Sequence, residues 1–314
     1  MCGENMMKPT DPSCLPAISE GRTLRSCVST VHNGARLRSR GPFVSNQSQF
    51  CLSTQTFDNI LIEREEATGV AVVKMNRKPV NSLSLEMLTD MHLAFEKLEG
   101  DKSCRGVILT SANPGVFSAG LDIMEMYQPE EARLREFWRN VQEIWLRLYG
   151  SSLITIAAIN GHSPAGGCLL ALCCDYRVMA APKFTIGLNE TLLGIIPPFW
   201  FTDTFLNTCG QRRAEYSLQL GEMFSSEKAL QANLVDELAD IGLVFQKARE
   251  QMDVWLKIPD LARQLTKSGI RSGLIQKLKS RREEDINTFV NFIMKDSVQK
   301  TLEVYLESLK KRKS

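Results

Sequence analysis

Histidine is scarce in this sequence, and closely paired cysteines are lacking. The 314 residues include three histidines and nine cysteines, and no two cysteines form a Cys-x-x-Cys pair. Structural zinc sites usually need closely spaced cysteine and histidine ligands, so no metal site is expected. An odd number of loosely spaced cysteines favours free thiols in a reducing compartment.

The sequence also lacks long apolar runs and a strong net charge. No apolar run approaches the roughly 20 residues that span a bilayer, so no integral membrane segment is predicted. The 38 basic and 36 acidic side chains give a formal net charge of +2. This balance provides no overall field that would attract nucleic acid or an anionic membrane. We expect a globular protein with a small-molecule substrate.

The N-terminal residues 1–57 have a composition of their own. Between Gly21 and Phe57 there are five arginines and many serines but no acidic residue. This composition is typical of a mitochondrial presequence. Three acidic residues further upstream keep a disordered arm as the alternative. The C-terminal Lys-Lys-Arg-Lys-Ser is not a peroxisomal address, so we predict a location in the mitochondrial matrix.

The hydrophobic pattern beyond this segment alternates between strand and helix periods. Residues 60–62 and 70–75 predict a hairpin, and apolar residues at helical spacing follow before a strand at 106–110. The alternation repeats with a long helix around residues 134–148 and a buried strand at 153–159. Two such passages predict an α/β architecture. After residue 198, helices are expected at 211–220, 226–233, 243–257, 259–278 and 282–311.

Two glycine-containing loops follow predicted strands and lead into helices. They read "FSAGLD" from Phe117 and "AINGHSPAGGC" from Ala158. Backbone N–H groups at such corners lack internal partners and can bind an anion. Neither loop has the full spacing of a phosphate-binding motif, so either one alone is a weak signal.

The run "GHSPA" differs from a Gly-x-Ser-x-Gly nucleophile elbow only at its last residue. A serine hydrolase is nevertheless disfavoured. The residue after Ser163 is proline and has no N–H to donate to an oxyanion. No histidine follows His162 in the chain, although the α/β-hydrolase order needs one.

Glu190 is the only charged residue between Lys183 and Asp203. Its apolar surroundings predict burial, which is costly for a carboxylate and raises its pKa. Such a residue is either held by hydrogen bonds, for example as a helix cap, or used in chemistry. We expect Ile186, Leu188 and Leu192 to be the apolar neighbours that raise this pKa.

Three segments, "GVFSAGLDIMEM", "AINGHSPAGGCLLALCCDYRVMA" and "IGLNETLLGIIPP", together resemble the crotonase superfamily. The resemblance covers roughly residues 58–312 and includes "RKPVNSLSLEML" and "DLARQLTK". It implies a spiral of ββα units with a helical C-terminal trimerisation region, a homotrimer, and an acyl-CoA thioester as substrate. The chain would divide into an arm (1–57), a crotonase-like core with the active site (58–200) and a helical region (201–314).

The resemblance also implies the site residues and the reaction. It places the oxyanion hole at the amides of Leu121 and Gly166, and the catalytic carboxylate at Glu190. The implied activity moves a double bond of an enoyl-CoA from C3 to C2, as in β-oxidation of unsaturated fatty acids. No metal or cofactor is implied, since coenzyme A is part of the substrate. The substrate-binding residues would be Ala119, Gly120, Leu121, Asp122, Ile123, Gly166 and Asn189.

Two other functions remain open. Hydratases of this superfamily carry a second acid where this chain has Leu169, and water addition needs two carboxylates, so hydration is disfavoured. A non-catalytic acyl-CoA-binding or scaffold protein is the other alternative.

Three single residues have more than one interpretation. Asn189 could be a cap residue rather than a substrate-binding residue, and His162 stands at a loop position where the superfamily often has a small residue. Lys267 could meet the coenzyme A phosphates, although a solvated helix charge is the simpler interpretation.

If the arginine-rich segment is a presequence, mature protein from mitochondria should begin between about residues 35 and 58. N-terminal sequencing of the mitochondrial form checks this position. An intact Met1 in a cytosolic fraction would contradict it. Removal of the segment should leave activity unchanged, because the first predicted strand starts near Ile60.

Overall fold

The computed structural model describes residues 52–311. In this range the strands are β1 (Leu52–Thr56), β2 (Ile60–Glu65), β3 (Val70–Met75), β4 (Gly106–Ser111), β5 (Gly115–Val116), β6 (Ile154–Ile159), β7 (Gly161–Pro164), β8 (Tyr176–Ala181), β9 (Thr185–Gly187), β10 (Phe224–Ser225) and β11 (Glu237–Asp240). Seven of them form one sheet in the order β1-β2-β3-β4-β6-β8-β11, and four form a second sheet in the order β10-β9-β7-β5.

Helices surround these sheets. They are α1 (Leu85–Gly100), α2 (Glu131–Gly150), α3 (Gly166–Cys173), α4 (Phe199–Cys209), α5 (Gln211–Leu220), α6 (Ser226–Gln231), α7 (Val244–Trp255), α8 (Asp260–Ser280), α9 (Arg282–Ile293) and α10 (Asp296–Lys311). Short 3-10 helices lie at Ile123–Glu125 and Glu190–Leu193. The predicted α/β architecture is confirmed.

The large sheet is antiparallel at β1-β2-β3 and parallel from β3 to β11. Every residue of β6 is buried, as expected for a parallel strand with helices on both faces. Successive residues of β6 point to opposite faces of the sheet and pack into two different hydrophobic clusters. Ile154 and Ile156 pack with Met252 of α7 on one face, while Ala157 and Ile159 join the larger core with α1 and α2 on the other.

Helix α1 illustrates how local sequence signals set the elements. Ser84 caps its N-terminus, with its hydroxyl accepting from Met87 N at 3.3 Å. The apolar residues that recur at helical spacing from Leu85 to Leu98 are buried, as predicted. Burial of this stripe fixes α1 against α2 and orients the loop that precedes it.

The region after residue 198 differs from the prediction in three ways. Helix α4 was not predicted, and the expected helix 282–311 is two helices separated at Met294 and Lys295. Strands β10 and β11 were also missed. Strand β11 pairs in parallel with β8, so the C-terminal region contributes an edge strand to the main sheet. Its short, half-buried sequence "ELAD" carries no clear strand pattern.

The N-terminal boundary also differs from the prediction. Strand β1 lies inside the range 1–57 that was expected to be an arm, and it pairs with β2 from Leu52 onward. The remainder of that range lies outside the described residues. A deletion that is meant to preserve the sheet must therefore end before Leu52. Among residues 52–311, no helix is long and apolar enough to cross a bilayer.

Candidate active site

Two strand-to-helix corners meet at one edge of the small sheet. Strands β5 and β7 pair in parallel, with Gly115 opposite Gly161. A Cβ on Gly161 would lie 2.1 Å from the carbonyl carbon of Gly115, so only glycine allows the two backbones to approach this closely. The pairing brings the loop 117–122 beside the start of α3.

The backbone N–H of Leu121 points away from the adjacent segment that contains Leu83. Leu83 and Leu121 form an isolated parallel bridge, in which Leu83 N donates to Gly120 O at 2.8 Å and Asp122 N donates to Leu83 O at 3.1 Å. Successive N–H groups of extended backbone point to opposite sides. The N–H of Leu121 is therefore free to face the cavity that this residue lines.

The N–H of Gly166 is the first of α3 and has no partner within the helix. A Cβ on Gly166 would lie 3.2 Å from Leu121 N and 3.0 Å from a methyl carbon of Leu83. The two amides assigned to the oxyanion hole are therefore neighbours. Ala165, which precedes Gly166, has φ 48° and ψ −122°, a strained conformation for a residue with a side chain. Such strain is common where a backbone group must be aimed at a ligand.

Asn81 holds the loops beneath this corner together. Its buried side-chain amide donates to Ser111 Oγ at 2.7 Å and to Phe117 O at 3.0 Å. Its side-chain oxygen accepts from Arg77 N at 2.9 Å and from Asn113 Nδ2 at 2.8 Å. All four hydrogen-bonding positions of the amide are thus used, which fixes the loop that leads to Leu121.

A cavity of about 570 Å³ opens in front of the two corners. Its walls are mostly apolar, with cationic Arg77 and Lys78 at one part of the lining. Of the predicted site residues, the cavity is lined by Ala119, Leu121, Asp122, Ile123, Asn189 and Glu190. Gly120 and Gly166 are not lining residues, but they carry and shape the corner.

Glu190 lies in this cavity and is 7% exposed. It begins the 3-10 helix Glu190–Leu193, and neither of its carboxylate oxygens has a hydrogen-bond partner from another residue. Burial raises the pKa of Glu190 to about 7, and its own backbone N–H offsets this only in part. Ile186 and Leu188 are buried as expected, but Leu192 is 64% exposed, so its predicted contribution to the apolar surroundings was wrong.

Asn189 and Asp122 differ in how their side chains are engaged. The side-chain oxygen of Asn189 is buried without a partner, and Asn189 makes no side-chain cap bond to the helix that follows. Asp122 is engaged twice: it pairs with Arg77 at 2.9 Å and accepts from Met124 N at 3.1 Å. Asn189 is therefore available to a ligand, while Asp122 fixes the local backbone.

Three residues that the sequence singled out lie away from the cavity lining. His162 is exposed, and its Nδ1 accepts from Thr185 N at 3.2 Å. The Lys267 ammonium pairs with Asp175 at 2.8 Å, and burial lowers its pKa. Lys267 is only 10% exposed, so the interpretation as a solvated charge was wrong. Leu169 is 2% exposed and belongs to the main hydrophobic core.

No pattern in the sequence indicated that the last helix would line the cavity. Tyr305, Leu306 and Leu309 of α10 are lining residues. Gln299 connects α10 to the loop after Met126, since its side-chain nitrogen donates to Met126 O at 2.9 Å and its oxygen accepts from Gln128 N at 2.7 Å. An amphipathic terminal helix was predictable, but its docking position depends on these long-range contacts.

Metal ligands are not grouped in the part of the chain that the structure describes. Within residues 52–311, no cluster of three or more histidine, cysteine, aspartate or glutamate side chains could hold an ion.

Three cysteines on or next to α3 are buried. Burial raises the pKa of the Cys168, Cys173 and Cys174 thiols. These buried cysteines are therefore unreactive core residues.

The raised pKa of Glu190 predicts a pH-dependent cost of burial. The pKa of this carboxyl is about 7 in the folded protein and ordinarily 4.5. The unfolded state therefore releases its proton first, and the free energy of unfolding falls as pH rises from about 4.5 until it has passed through 7. We expect Glu190→Gln to be more stable than the parent by up to about 3 kcal/mol at pH 8, and the difference to vanish near pH 4.5. Urea unfolding at several pH values measures this, with Glu303→Gln on an exposed part of α10 as the control. Equal stabilities across the range would contradict it.

Comparison with known proteins is consistent with this geometry. Residues 65–313 match the family described as enoyl-CoA hydratase/isomerase. The mouse protein named "Enoyl-CoA delta isomerase 1, mitochondrial" is 55% identical, covering 90% of this chain and 96% of its own length. The human protein of the same name is 53% identical, covering 81% and 84%.

Solved structures give the same relationship. The crystal structure of human mitochondrial delta3-delta2-enoyl-CoA isomerase matches with a TM-score of 0.80 and 52% identity, covering 82% of this chain and all of that chain. An enoyl-CoA hydratase from Bacillus halodurans matches at 22% identity and a TM-score of 0.67, which concerns the fold alone. The crotonase-like fold predicted from the sequence is confirmed, and the chain belongs to the enoyl-CoA hydratase/isomerase family.

Proposed function

We propose that this protein is a Δ3,Δ2-enoyl-CoA isomerase that acts in the β-oxidation of unsaturated fatty acids. Relatives named enoyl-CoA delta isomerase 1, at 53–56% identity over most of the chain, support this activity. The observation that carries the proposal is a single unpartnered carboxylate, Glu190, in the same cavity as the free amide of Leu121. One acid and two amides are the groups that this reaction needs.

The first step is removal of a proton from C2 of the 3-enoyl-CoA by Glu190. Negative charge then develops on the thioester oxygen, where the N–H groups of Leu121 and Gly166 stabilise it. Glu190, now protonated, returns the proton to C4 as the double bond moves to C2–C3. A pKa of about 7 suits both halves of this exchange, because the group can accept and release a proton near neutral pH.

The apolar walls of the cavity suit an acyl chain. Ile123, Met126 and Leu193 are among the apolar lining residues, and helix α10 contributes Tyr305, Leu306 and Leu309 to the lining. Exclusion of water protects the dienolate and strengthens its interaction with the amides. Coenzyme A enters only as part of the substrate, and the mechanism uses no further cofactor or metal.

Hydration is the main alternative, and the carboxylates around the cavity argue against it. Only Glu190 and Asp122 are acidic among the described lining residues. Asp122 is held by Arg77 and by Met124 N, so it is not free to activate water. Leu169, at the position of the second acid in hydratases, lies in the hydrophobic core. A non-catalytic acyl-CoA binder has no need for a buried, unpaired carboxylate with a raised pKa.

Location and assembly extend the proposal. Relatives with "mitochondrial" in their names and the arginine-rich, acid-free N-terminal segment support a mitochondrial location, and we propose the matrix. We also propose a homotrimer that has no nucleic-acid partner and no integral membrane segment. The exposed apolar side chains of Leu261, Leu265 and Ile270 on α8 are suited to contact a second copy.

Glu190→Gln should reduce isomerisation by several orders of magnitude while acyl-CoA affinity stays within about tenfold, because the amide keeps the shape but cannot accept a proton. Rates on 3-enoyl-CoA and 2-enoyl-CoA, measured in parallel, check this. Glu303→Gln is the matched control and should retain the parent rate. Near-native turnover by Glu190→Gln would reject Glu190 as the base, and hydration of 2-enoyl-CoA as the dominant activity would reject the isomerase proposal.

Gly166→Ala should lower kcat by about 100-fold, the usual effect of losing one oxyanion donor. The added methyl group would crowd Leu121 N and Leu83, which displaces one or both amides. Gly100→Ala is the matched control, because nothing lies within 4 Å of a Cβ at that exposed position at the end of α1. Steady-state kinetics on the same 3-enoyl-CoA compare the two variants. Equal kcat values would show that Gly166 does not shape an oxyanion hole.

A further inference from the structure

A second cavity of about 240 Å³ lies beside the acyl cavity. The two cavities share four lining residues, Trp138, Ile196, Pro198 and Phe289. Glu190 and Leu121 line only the first cavity, so the proposed reacting groups are not part of the second. Its remaining lining includes Phe199 and Phe292, with the charged Arg281 and Glu284 also present.

Two of the shared residues form a stacked aromatic pair. The ring centroids of Trp138 on α2 and Phe289 on α9 are 3.5 Å apart, with planes inclined by 6°. Both side chains are buried. This flat contact leaves no space between the rings for an acyl chain, so a chain cannot pass between these two residues, each of which lines both cavities.

Asp285 holds the indole of this pair in place. Its Oδ2 accepts from Trp138 Nε1 at 2.8 Å, from Gln142 Nε2 at 2.7 Å and from Trp200 Nε1 at 3.2 Å. Three donors from α2 and α4 thus converge on one oxygen of α9. A tryptophan with its N–H fixed in this way cannot turn aside without losing a hydrogen bond in a largely buried setting.

We propose that the Trp138–Phe289 pair is the end wall of the acyl site, and that it limits the length of fatty acyl chain that the enzyme accepts. This inference rests on the proposed function. Asp285 acts as a positioning residue for the wall. If the wall is removed, the second cavity becomes an extension of the acyl site and receives the methylene groups of longer chains.

Binding of saturated acyl-CoAs tests the wall without any need for turnover. Hexanoyl-CoA and hexadecanoyl-CoA would be titrated into the full-length protein by calorimetry. In Phe289→Ala we expect the affinity for hexadecanoyl-CoA, relative to hexanoyl-CoA, to rise at least about tenfold over the parent, because each methylene that leaves water adds favourable free energy. The ratio of kcat/KM for 3-hexadecenoyl-CoA and 3-hexenoyl-CoA should rise in parallel.

Two further variants distinguish the effect of removing the wall from a general loosening of side-chain packing around the second cavity. Phe292→Ala removes an aromatic side chain that lines only the second cavity, and it should keep the length preference of the parent. Asp285→Ala leaves both rings present but frees the indole, so it should raise the ratio by less than Phe289→Ala does. If Phe289→Ala fails to fold, Phe289→Leu removes the stacked ring with a smaller loss of volume.

The outcomes distinguish this inference from the proposed function. A folded Phe289→Ala or Phe289→Leu with the parent's affinity ratio would overturn the wall, whatever the isomerase rates are. An equal rise in Phe292→Ala would overturn it as well. A raised affinity ratio in the wall variants alone supports it, even if the parent shows no isomerisation, in which case only the proposed reaction fails.

Discussion

The buried carboxylate of Glu190 is the constraint on which the rest of the site depends. An unpaired acid with a pKa near 7 is less favourable at neutral pH than the same acid in water by about 3 kcal/mol. That deficit is a large fraction of the net stability of an ordinary domain. It persists only because the segment around Glu190 is fixed by packing, with Ile186 and Leu188 buried in the core. The same packing that destabilises the charge keeps water and hydrogen-bond donors away from it.

The amides opposite this acid depend on a second kind of local strain. Close contact between Gly115 and Gly161 brings the two corners together, and Ala165 adopts a backbone conformation that is unfavourable for a residue with a side chain. Neither feature improves stability. Together they place the N–H groups of Leu121 and Gly166 side by side, as the proposed stabilisation of an oxyanion that forms only during the reaction requires.

The parts of the site that the sequence predicted are those set by local pattern. Glu190 is isolated among apolar residues, and glycines follow strands at both corners, so burial of the acid and exposure of the amides could be inferred. The buried position of Lys267 could not be predicted in this way, because its partner Asp175 is distant in sequence and nothing in the helical pattern indicates a buried ion pair. The docking of α10 over the cavity and the Trp138–Phe289 stack likewise arise from tertiary contacts between helices that the pattern cannot pair.

The reacting groups and the shape of the acyl site come from different parts of the fold. The acid and the amides lie on strand ends and corners between residues 117 and 190, where backbone pairing fixes their positions. Walls of the cavity beyond them come from α2, α9 and α10. Helices α2 and α9 are joined by the stacked rings of Trp138 and Phe289 and by the hydrogen bond from Trp138 Nε1 to Asp285. Side-chain packing tolerates substitution more readily than the backbone corners do. Under the proposed function, chain-length preference can therefore change through the helices while the proton transfer that we propose for Glu190 stays the same.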